Sequence, residues 1–79
     1  MNEQKLKNAF LVALNIDESL VNEQLLYQSI PEWDSISHMV LVSELESTFD
    51  VSLETDDVID MSSFGKVKEI LTKYGVVFI

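Results

Sequence analysis

Ser35 and His38 are the two side chains in this sequence whose types and spacing could support nucleophilic chemistry, because residues three apart share one face of a helix. Together with a carboxylate they would supply the parts of a serine hydrolase triad. At about 100° per residue, however, His38 falls in the arc of Leu41 and Leu45, away from the side that Ser35 would use at a helix start. We therefore predict that His38 lies at the edge of the core and bonds a backbone carbonyl.

The Ser35 hydroxyl has two interpretations that the sequence leaves open. Aspartate and serine are both preferred helix N-caps, so Asp34 or Ser35 could simply accept hydrogen bonds from the amides of Ser37 and His38. The same position also suits covalent modification, since a hydroxyl at a helix N-terminus is exposed. A phosphodiester formed on it would be stabilised by the helix dipole and by the free amides.

Other kinds of catalytic or metal site lack the residues that they need. The chain has no cysteine, which excludes disulfides, thiol catalysis and thiolate metal ligands. Gly65 and Gly75 do not lie in a phosphate-binding pattern. The acidic run from Asp50 to Asp60 has neither the glycine nor the alternating ligands of a calcium-binding loop. We expect no metal site, and in a chain of 79 residues we expect no enzyme with a deep cleft.

Negative charge is concentrated in the middle of the chain. The net charge is −9, and all five lysines lie outside the segment from Ile16 to Gly65. Such a field repels nucleic acid and anionic lipid and attracts a basic protein surface, unless it is a solvated face that only aids solubility. No apolar run approaches the roughly 18 residues that span a bilayer, and the N-terminus lacks the layout of a secretion signal. We expect a cytoplasmic monomer that does not insert into membranes.

Helical periodicity dominates the sequence and strand alternation is nowhere sustained, so we predict an all-α fold in a single domain over residues 1–79. Four helices are expected at about residues 2–14, 35–49, 55–60 and 63–74, the third of them short. The expected N-caps are Asn2, Thr55 and either Ser62 or Ser63, and the expected stops are Asn15 and Gly75. In the short third segment, Val58, Ile59 and Met61 should supply the apolar contacts.

Two segments outside the helices are also informative. Residues 16–33 exceed the usual length of a connection, which indicates a functional loop or one that contains a short helical turn. Its apolar residues should pin it to the core, and they are Ile16, Leu20, Val21, Leu25, Leu26 and Ile30. The C-terminal residues 76–79 are all apolar, and we predict that this tail folds back onto the helices.

Three apolar residues of the second helix, Ile36, Met39 and Val40, lie on or near the side away from its core stripe. Either the long loop folds over them, or they form a contact patch beside Ser35. The polar residues around this patch are Asp34, Glu44 and Glu46. An apolar centre with a polar rim is typical of a protein-docking site.

The motif around Ser35 resembles the modification motif of the acyl carrier protein family. Asp34, Ser35 and Ile36 match the Asp-Ser-Leu of that family, with Ile36 in the leucine position. The further matches are Leu45, Glu46 and Phe49 on the second helix, the apolar pair Val51 and Leu53, an acidic third helix, and a fourth helix opening at Ser62, Ser63 and Phe64. The resemblance covers nearly the whole chain, from the first helix to Gly75.

This resemblance implies a four-helix bundle of acyl-carrier type, in which Ser35 carries a covalent 4'-phosphopantetheine arm derived from coenzyme A. A separate phosphopantetheinyl transferase would attach the arm with magnesium, with Asp34 helping to position the transferase or its metal and Ile36 contacting the partner. Partner enzymes with basic surfaces would load and remove acyl or aminoacyl groups, held as thioesters, in fatty acid, polyketide, aminoacyl or related biosynthesis. The docking residues would be Asp34, Ile36, Met39, Val40, Glu44, Glu46, Asp56 and Asp57.

The sequence also departs from the pattern of fatty-acid carriers. Ser37, Val40 and Ser47 stand at positions often held by acids, and Trp33 is similar to the residue found in free-standing carriers of specialised pathways. Two other classes remain open. One is an unmodified four-helix interaction domain that binds a basic partner and uses Ser35 only as a cap, and the other is a small hydrolase.

Overall fold

Four α-helices make up most of the computed structural model, which describes residues 2–78. They are α1 (Asn2–Leu14), α2 (Ser35–Phe49), α3 (Thr55–Ile59) and α4 (Phe64–Lys73). A single 3₁₀ turn, Glu18–Leu20, lies between α1 and α2. Within residues 2–78 the sole β-type pairing is an isolated bridge between Leu26 and Ser63, so the prediction of an all-α fold with four helices is confirmed.

Three of the four helices, α1, α2 and α4, end where the backbone enters the left-handed region. Asn15 after α1 and Asp50 after α2 both have a φ of 54°, and asparagine and aspartate tolerate this region better than most residues. After α4, Gly75 has a φ of 93°, and the Val76 amide donates to the Leu71 carbonyl at 3.1 Å. This is the hydrogen bond of a Schellman motif, which glycine favours. The predicted stops at Asn15 and Gly75 are therefore confirmed.

Aromatic side chains form the centre of the core. Phe10 of α1 packs edge-on against Trp33 at 5.3 Å between ring centroids and against Phe64 of α4 at 5.1 Å. Trp33 precedes α2 and is fully buried. The aliphatic residues buried around these rings include Leu6, Leu41, Leu45, Val67 and Leu71. Because Trp33 stands two residues before Ser35, its burial fixes the start of α2 to the core.

Backbone hydrogen bonds attach the long loop to the junction between α3 and α4. The Tyr27 amide donates to the Ser62 carbonyl, and the Phe64 amide donates to the Leu25 carbonyl, each at 2.9 Å. The predicted helical turn is present as the 3₁₀ turn. Leu20 and Leu26 were expected to pin the loop, but they are 40% and 52% exposed. That expectation is wrong for these two residues, because the backbone bonds hold the loop in their place.

Two predictions about α3 are also wrong. Thr55 is the first residue of the helix and does not cap it; Glu54 occupies the N-cap position, and in the described part of the chain it makes no capping bond through its side chain. Ile59 was expected to face inward but is 76% exposed, whereas Met61 is buried. The helix is too short to bury a full stripe, so only one side of its single turn reaches the core.

The apolar tail packs back on the helices over residues 76–78, as predicted, and Ile79 lies outside the described residues. Phe78 contacts the ring of Phe49 with 6.1 Å between centroids. The Asn2 side-chain amide donates to the Val77 carbonyl at 2.8 Å, so Asn2 ties the tail to α1 and is itself the first helical residue. Among residues 2–78, no helix has the length and apolar character needed to cross a membrane.

Candidate functional site

Ser35 is the first residue of α2, and the capping of that helix is done by its neighbour. Asp34 has extended backbone angles, and its Oδ1 accepts a hydrogen bond from the Ser37 amide at 2.9 Å. The Asp34 carbonyl accepts the His38 amide at 2.8 Å, which is the first helical hydrogen bond. The Ser35 side chain is exposed and takes no part in the cap. Of the two candidate caps in the sequence, the structure therefore selects Asp34.

The Asp34 carboxylate makes this helix start negative. The hydrogen bond from the Ser37 amide lowers the pKa of Asp34, so the carboxyl group is ionised at neutral pH. An aspartate beside the positive end of the helix dipole is favourable for α2. The same exposed carboxylate would repel an anionic group brought to Ser35.

His38 has both ring nitrogens engaged. Trp33 donates its indole Nε1–H to Nδ1 at 3.0 Å, and Nε2 lies 2.9 Å from the Val58 carbonyl oxygen. Because Nδ1 accepts, Nε2 carries the proton and donates it to Val58. The predicted bond from His38 to a backbone carbonyl is confirmed. With both nitrogens occupied, the imidazole offers no lone pair to Ser35, and the geometry gives no support to a Ser35–His38 hydrolase.

An apolar cavity of about 390 Å³ opens beside Ser35, between α2 and α3. Its lining residues are Tyr27, Ser35, His38, Met39, Val58, Ile59, Met61 and Ser62. The sequence did not predict this cavity, because its walls come from three separate segments. The long loop contributes Tyr27 to it, and the bond between the Tyr27 amide and the Ser62 carbonyl helps to hold that residue there. In the sequence, the cavity was indicated only by Met39, an apolar residue on the outer side of α2.

The three outward apolar residues of α2 remain uncovered. Ile36 is 77% exposed, Met39 is 59% exposed and Val40 is 47% exposed. The long loop does not fold over them, so of the two explanations the exposed patch agrees with the structure. Ile59 of α3 adds a fourth exposed apolar side chain across the cavity from Met39. We call Ile36, Met39, Val40 and Ile59 the apolar patch.

The acidic residues predicted to dock a partner differ in their surroundings. Asp56 is exposed, and Glu44 is half-buried. Glu46 is also half-buried, and its Oε2 accepts the Leu53 amide at 2.8 Å, which fixes the turn between α2 and α3. One of the predicted docking acids on α2 therefore has a structural hydrogen bond of its own.

Asp57, a further predicted docking residue, is also engaged inside the fold. Its side chain is only 15% exposed and forms an ion pair with Lys73 at 2.7 Å. The Tyr74 hydroxyl donates to its other carboxylate oxygen. These bonds, the one from Lys73 first, lower the pKa of Asp57. Asp57 therefore joins α3 to the end of α4.

No grouping of three or more potential ligands that could hold a metal ion occurs among the residues that the structure describes. A scan against protein-family models and a search of curated proteins both gave no match for this chain. Any inference about function therefore depends on the sequence motif and on the geometry around Ser35.

Proposed function

We propose that this protein is an acyl carrier whose Ser35 hydroxyl receives a 4'-phosphopantetheine arm. The observation that carries the proposal is the position of Ser35. Its side chain is exposed at the first position of α2, released from capping by Asp34, and it lies at an apolar cavity of about 390 Å³. A serine that served only as a cap would use its hydroxyl as Asp34 uses its carboxylate.

The surroundings of Ser35 fit such an arm in two respects. The amides at the start of α2 and the helix dipole favour a phosphodiester on the serine. The cavity beside it has walls made mainly of Tyr27, Met39, Val58 and Met61, which would accept an apolar group rather than a charged one. When bound, the arm would supply a thiol that holds acyl or aminoacyl groups as thioesters.

The attachment is a phosphoryl transfer in which Ser35 is the nucleophile. Its oxygen forms a bond to phosphorus of coenzyme A, the phosphoanhydride bond breaks, and adenosine 3',5'-bisphosphate leaves. The Ser35 proton must go to a base of the transferase, since both nitrogens of His38 are already engaged. Asp34, which is ionised and directly precedes this serine, would contact the magnesium or a basic residue of the transferase.

The apolar patch and the acidic residues around it suit the partners that such a carrier needs. Ile36 and Met39 flank Ser35 and are mostly exposed, as the centre of a transient protein contact would be before binding. Asp56 is exposed on α3, and together with the net charge of −9 it favours enzymes with basic surfaces. Loading and transfer of the cargo would be the work of those enzymes.

Intact mass tests the proposal. Purified protein is incubated with coenzyme A, magnesium and a broad-range phosphopantetheinyl transferase, with Ser35→Ala and Ser37→Ala treated in parallel. We expect the wild type and Ser37→Ala to gain one phosphopantetheine and Ser35→Ala to gain none. An unchanged wild-type mass with several transferases would contradict the proposal.

A second candidate function is an unmodified interaction domain that binds a basic partner. The exposure of Ile36, Met39 and Val40 favours it as well, because a docking patch does not require a modified serine. The two candidates differ at Ser35. The interaction domain would bind its partner equally well after Ser35→Ala, whereas the carrier would lose its function completely.

A further inference from the structure

The short helix α3 depends on side chains from other helices for its position. It has only five residues, Thr55–Ile59, and a helix of this length is not stable in isolation. The Tyr74 hydroxyl of the α4 C-cap accepts the Glu54 amide at 3.1 Å, just before α3, and donates to Asp57, the middle residue of α3. Lys73 adds the ion pair to Asp57. The first half of α3 is therefore attached to α4.

The other end of α3 is attached to α2 through His38. The Nε2–H of His38 donates to the carbonyl of Val58, near the end of α3, at 2.9 Å. The buried indole of Trp33 donates to Nδ1, and the planes of the two rings lie within 23° of each other. Since Trp33 is fully buried, it fixes both the tautomer and the orientation of the ring. His38 thus presents a donor to α3 at a defined position.

This hydrogen bond joins the two walls of the cavity beside Ser35. His38 and Met39 belong to the α2 wall, and Val58 and Ile59 belong to the α3 wall. A change in the bond from His38 to Val58 would let the α3 wall move relative to the α2 wall. The attachment of α3 to α4 acts through Glu54 and Asp57 and, just after the helix, through the ion pair between Asp60 and Lys66, whereas the bond from His38 ties Val58 to α2.

We propose that His38 is the positioning residue of the site: through the bond to Val58 it holds α3 against α2 and so sets the width of the cavity beside Ser35. The part of this inference that concerns α3 stands on the geometry alone. The part that concerns a carried group depends on the proposed function, because it assumes that Ser35 bears an arm whose cargo enters the cavity.

Two substitutions separate the two hydrogen bonds of His38. In His38→Asn the amide oxygen lies about where Nδ1 does, so the acceptor for Trp33 is kept and the donor for Val58 is lost. In His38→Gln, one carbon longer, the amide nitrogen lies about where Nε2 does, so the donor for Val58 is kept and the acceptor for Trp33 is lost. Both variants must first show a cooperative unfolding transition, which establishes that they are folded.

The first readout is amide hydrogen exchange in the unmodified protein. The Asp60 amide, which bonds the Asp56 carbonyl at 3.1 Å, reports on α3, and the Val67 amide of α4 is the internal control. We expect exchange at Asp60 to be about three- to tenfold faster than wild type in His38→Asn and within about twofold of wild type in His38→Gln, as the loss of one hydrogen bond implies. Exchange at Val67 should change equally little in both.

The second readout uses a carried group. Each protein is loaded from octanoyl coenzyme A by the transferase, and cleavage of the thioester by hydroxylamine is followed by mass. We expect cleavage to be about three- to tenfold faster in His38→Asn than in wild type or His38→Gln, because a loosened α3 leaves the octanoyl thioester more accessible.

The outcomes distinguish this inference from the proposed function. Wild-type exchange at Asp60 in His38→Asn, or equal acceleration in His38→Gln, would overturn the role of His38 through Val58. Faster exchange with unchanged cleavage would overturn its effect on the carried group. If even the wild type takes up no arm, the proposed function fails, and the exchange experiment alone still decides whether His38 positions α3.

Discussion

Helices α2 and α4 both begin beside a serine, and the two serines are used differently. At α4, Ser63 is the N-cap, and its hydroxyl accepts the Lys66 amide at 3.0 Å. At α2 the N-cap is Asp34, and Ser35 is exposed at the next position. The apolar residue that follows each serine also differs in burial: Phe64 is buried, whereas Ile36 is 77% exposed.

The serine and the apolar residue at the start of α4 stabilise the fold, whereas those at the start of α2 do not. At α4 the serine caps the helix and the following apolar side chain fills the core. At α2 both the hydroxyl and the apolar side chain face solvent, although Trp33 just before them is fully buried. Exposed apolar residues beside a hydroxyl that takes no part in capping indicate a surface that other molecules contact.

The largest difference is expected between Phe64→Ala and Ile36→Ala. Phe64 is buried and packs on Phe10 at 5.1 Å between ring centroids. Its truncation should lower the free energy of unfolding by about 3–5 kcal/mol, a large part of the total for a domain of this size. Ile36→Ala should change it by less than about 0.5 kcal/mol. Urea denaturation of both variants checks this, and similar losses at the two positions would remove the contrast between the helix starts.

The next largest effect is expected on the rate at which the transferase modifies the protein. Met39→Glu should slow modification by the transferase about tenfold, because it places a charge in the centre of the apolar patch. Val12→Glu is the matched control, since Val12 is also an exposed apolar residue, 66% exposed, but belongs to α1. Both variants should unfold at nearly the wild-type denaturant concentration. The rates come from mass measured over time, and equal slowing in both variants would point to net charge instead of the patch.

A smaller effect compares the two serines directly. Ser63→Ala should lower the free energy of unfolding by about 1 kcal/mol, the usual value for a lost N-cap. Ser35→Ala should change it by less than about 0.5 kcal/mol, because Asp34 continues to cap α2. Thermal or urea unfolding of the pair measures this, and a larger loss for Ser35→Ala would mean that its hydroxyl has a structural role.

The smallest effect is expected in the pH dependence of helix capping, which should differ between Asp34 at α2 and Ser63 at α4. The hydrogen bond from the Ser37 amide holds the pKa of Asp34 below the ordinary value for aspartate, about 3.9. The stabilisation that this cap provides is therefore complete above that value and is lost as the pH falls through the lowered pKa. The hydroxyl cap at Ser63 has no such titration.

Amide chemical shifts during an acid titration measure this difference. The Ser37 amide should move at low pH as Asp34 takes up a proton, while the Lys66 amide at Ser63 should not follow the same curve. In Asp34→Asn the movement of the Ser37 amide should disappear. If Ser37 did not titrate in the wild type, Asp34 would not be the cap in solution.

Local sequence signals predicted the helices well. The bounds of α1 and α2 agree with the predicted ranges, and Ser63 caps α4 as one of the two expected serines. Caps and stops act over three or four residues, so Asp34 before α2 and Asp50 after it are sufficient to define that helix. His38 was also placed correctly, because helical periodicity alone assigns it to the core side.

Features that depend on distant residues could not be predicted in this way. The start of α3 is fixed by the hydroxyl of Tyr74, 20 residues from Glu54, and so Thr55 was wrongly expected to cap it. The intramolecular partners of Glu46 and Asp57 were missed for the same reason. The cavity beside Ser35 needs three segments to come together, which no local pattern reports.

The most direct test of the central claim is to locate the added mass after treatment with coenzyme A and the transferase. The chain has nine serines, and Ser37 and Ser63 are the nearest comparisons to Ser35 by sequence and by position at a helix start. Proteolysis followed by tandem mass spectrometry should place one phosphopantetheine on Ser35 and none on the other eight. Modification at another serine, or none at any, would contradict the account.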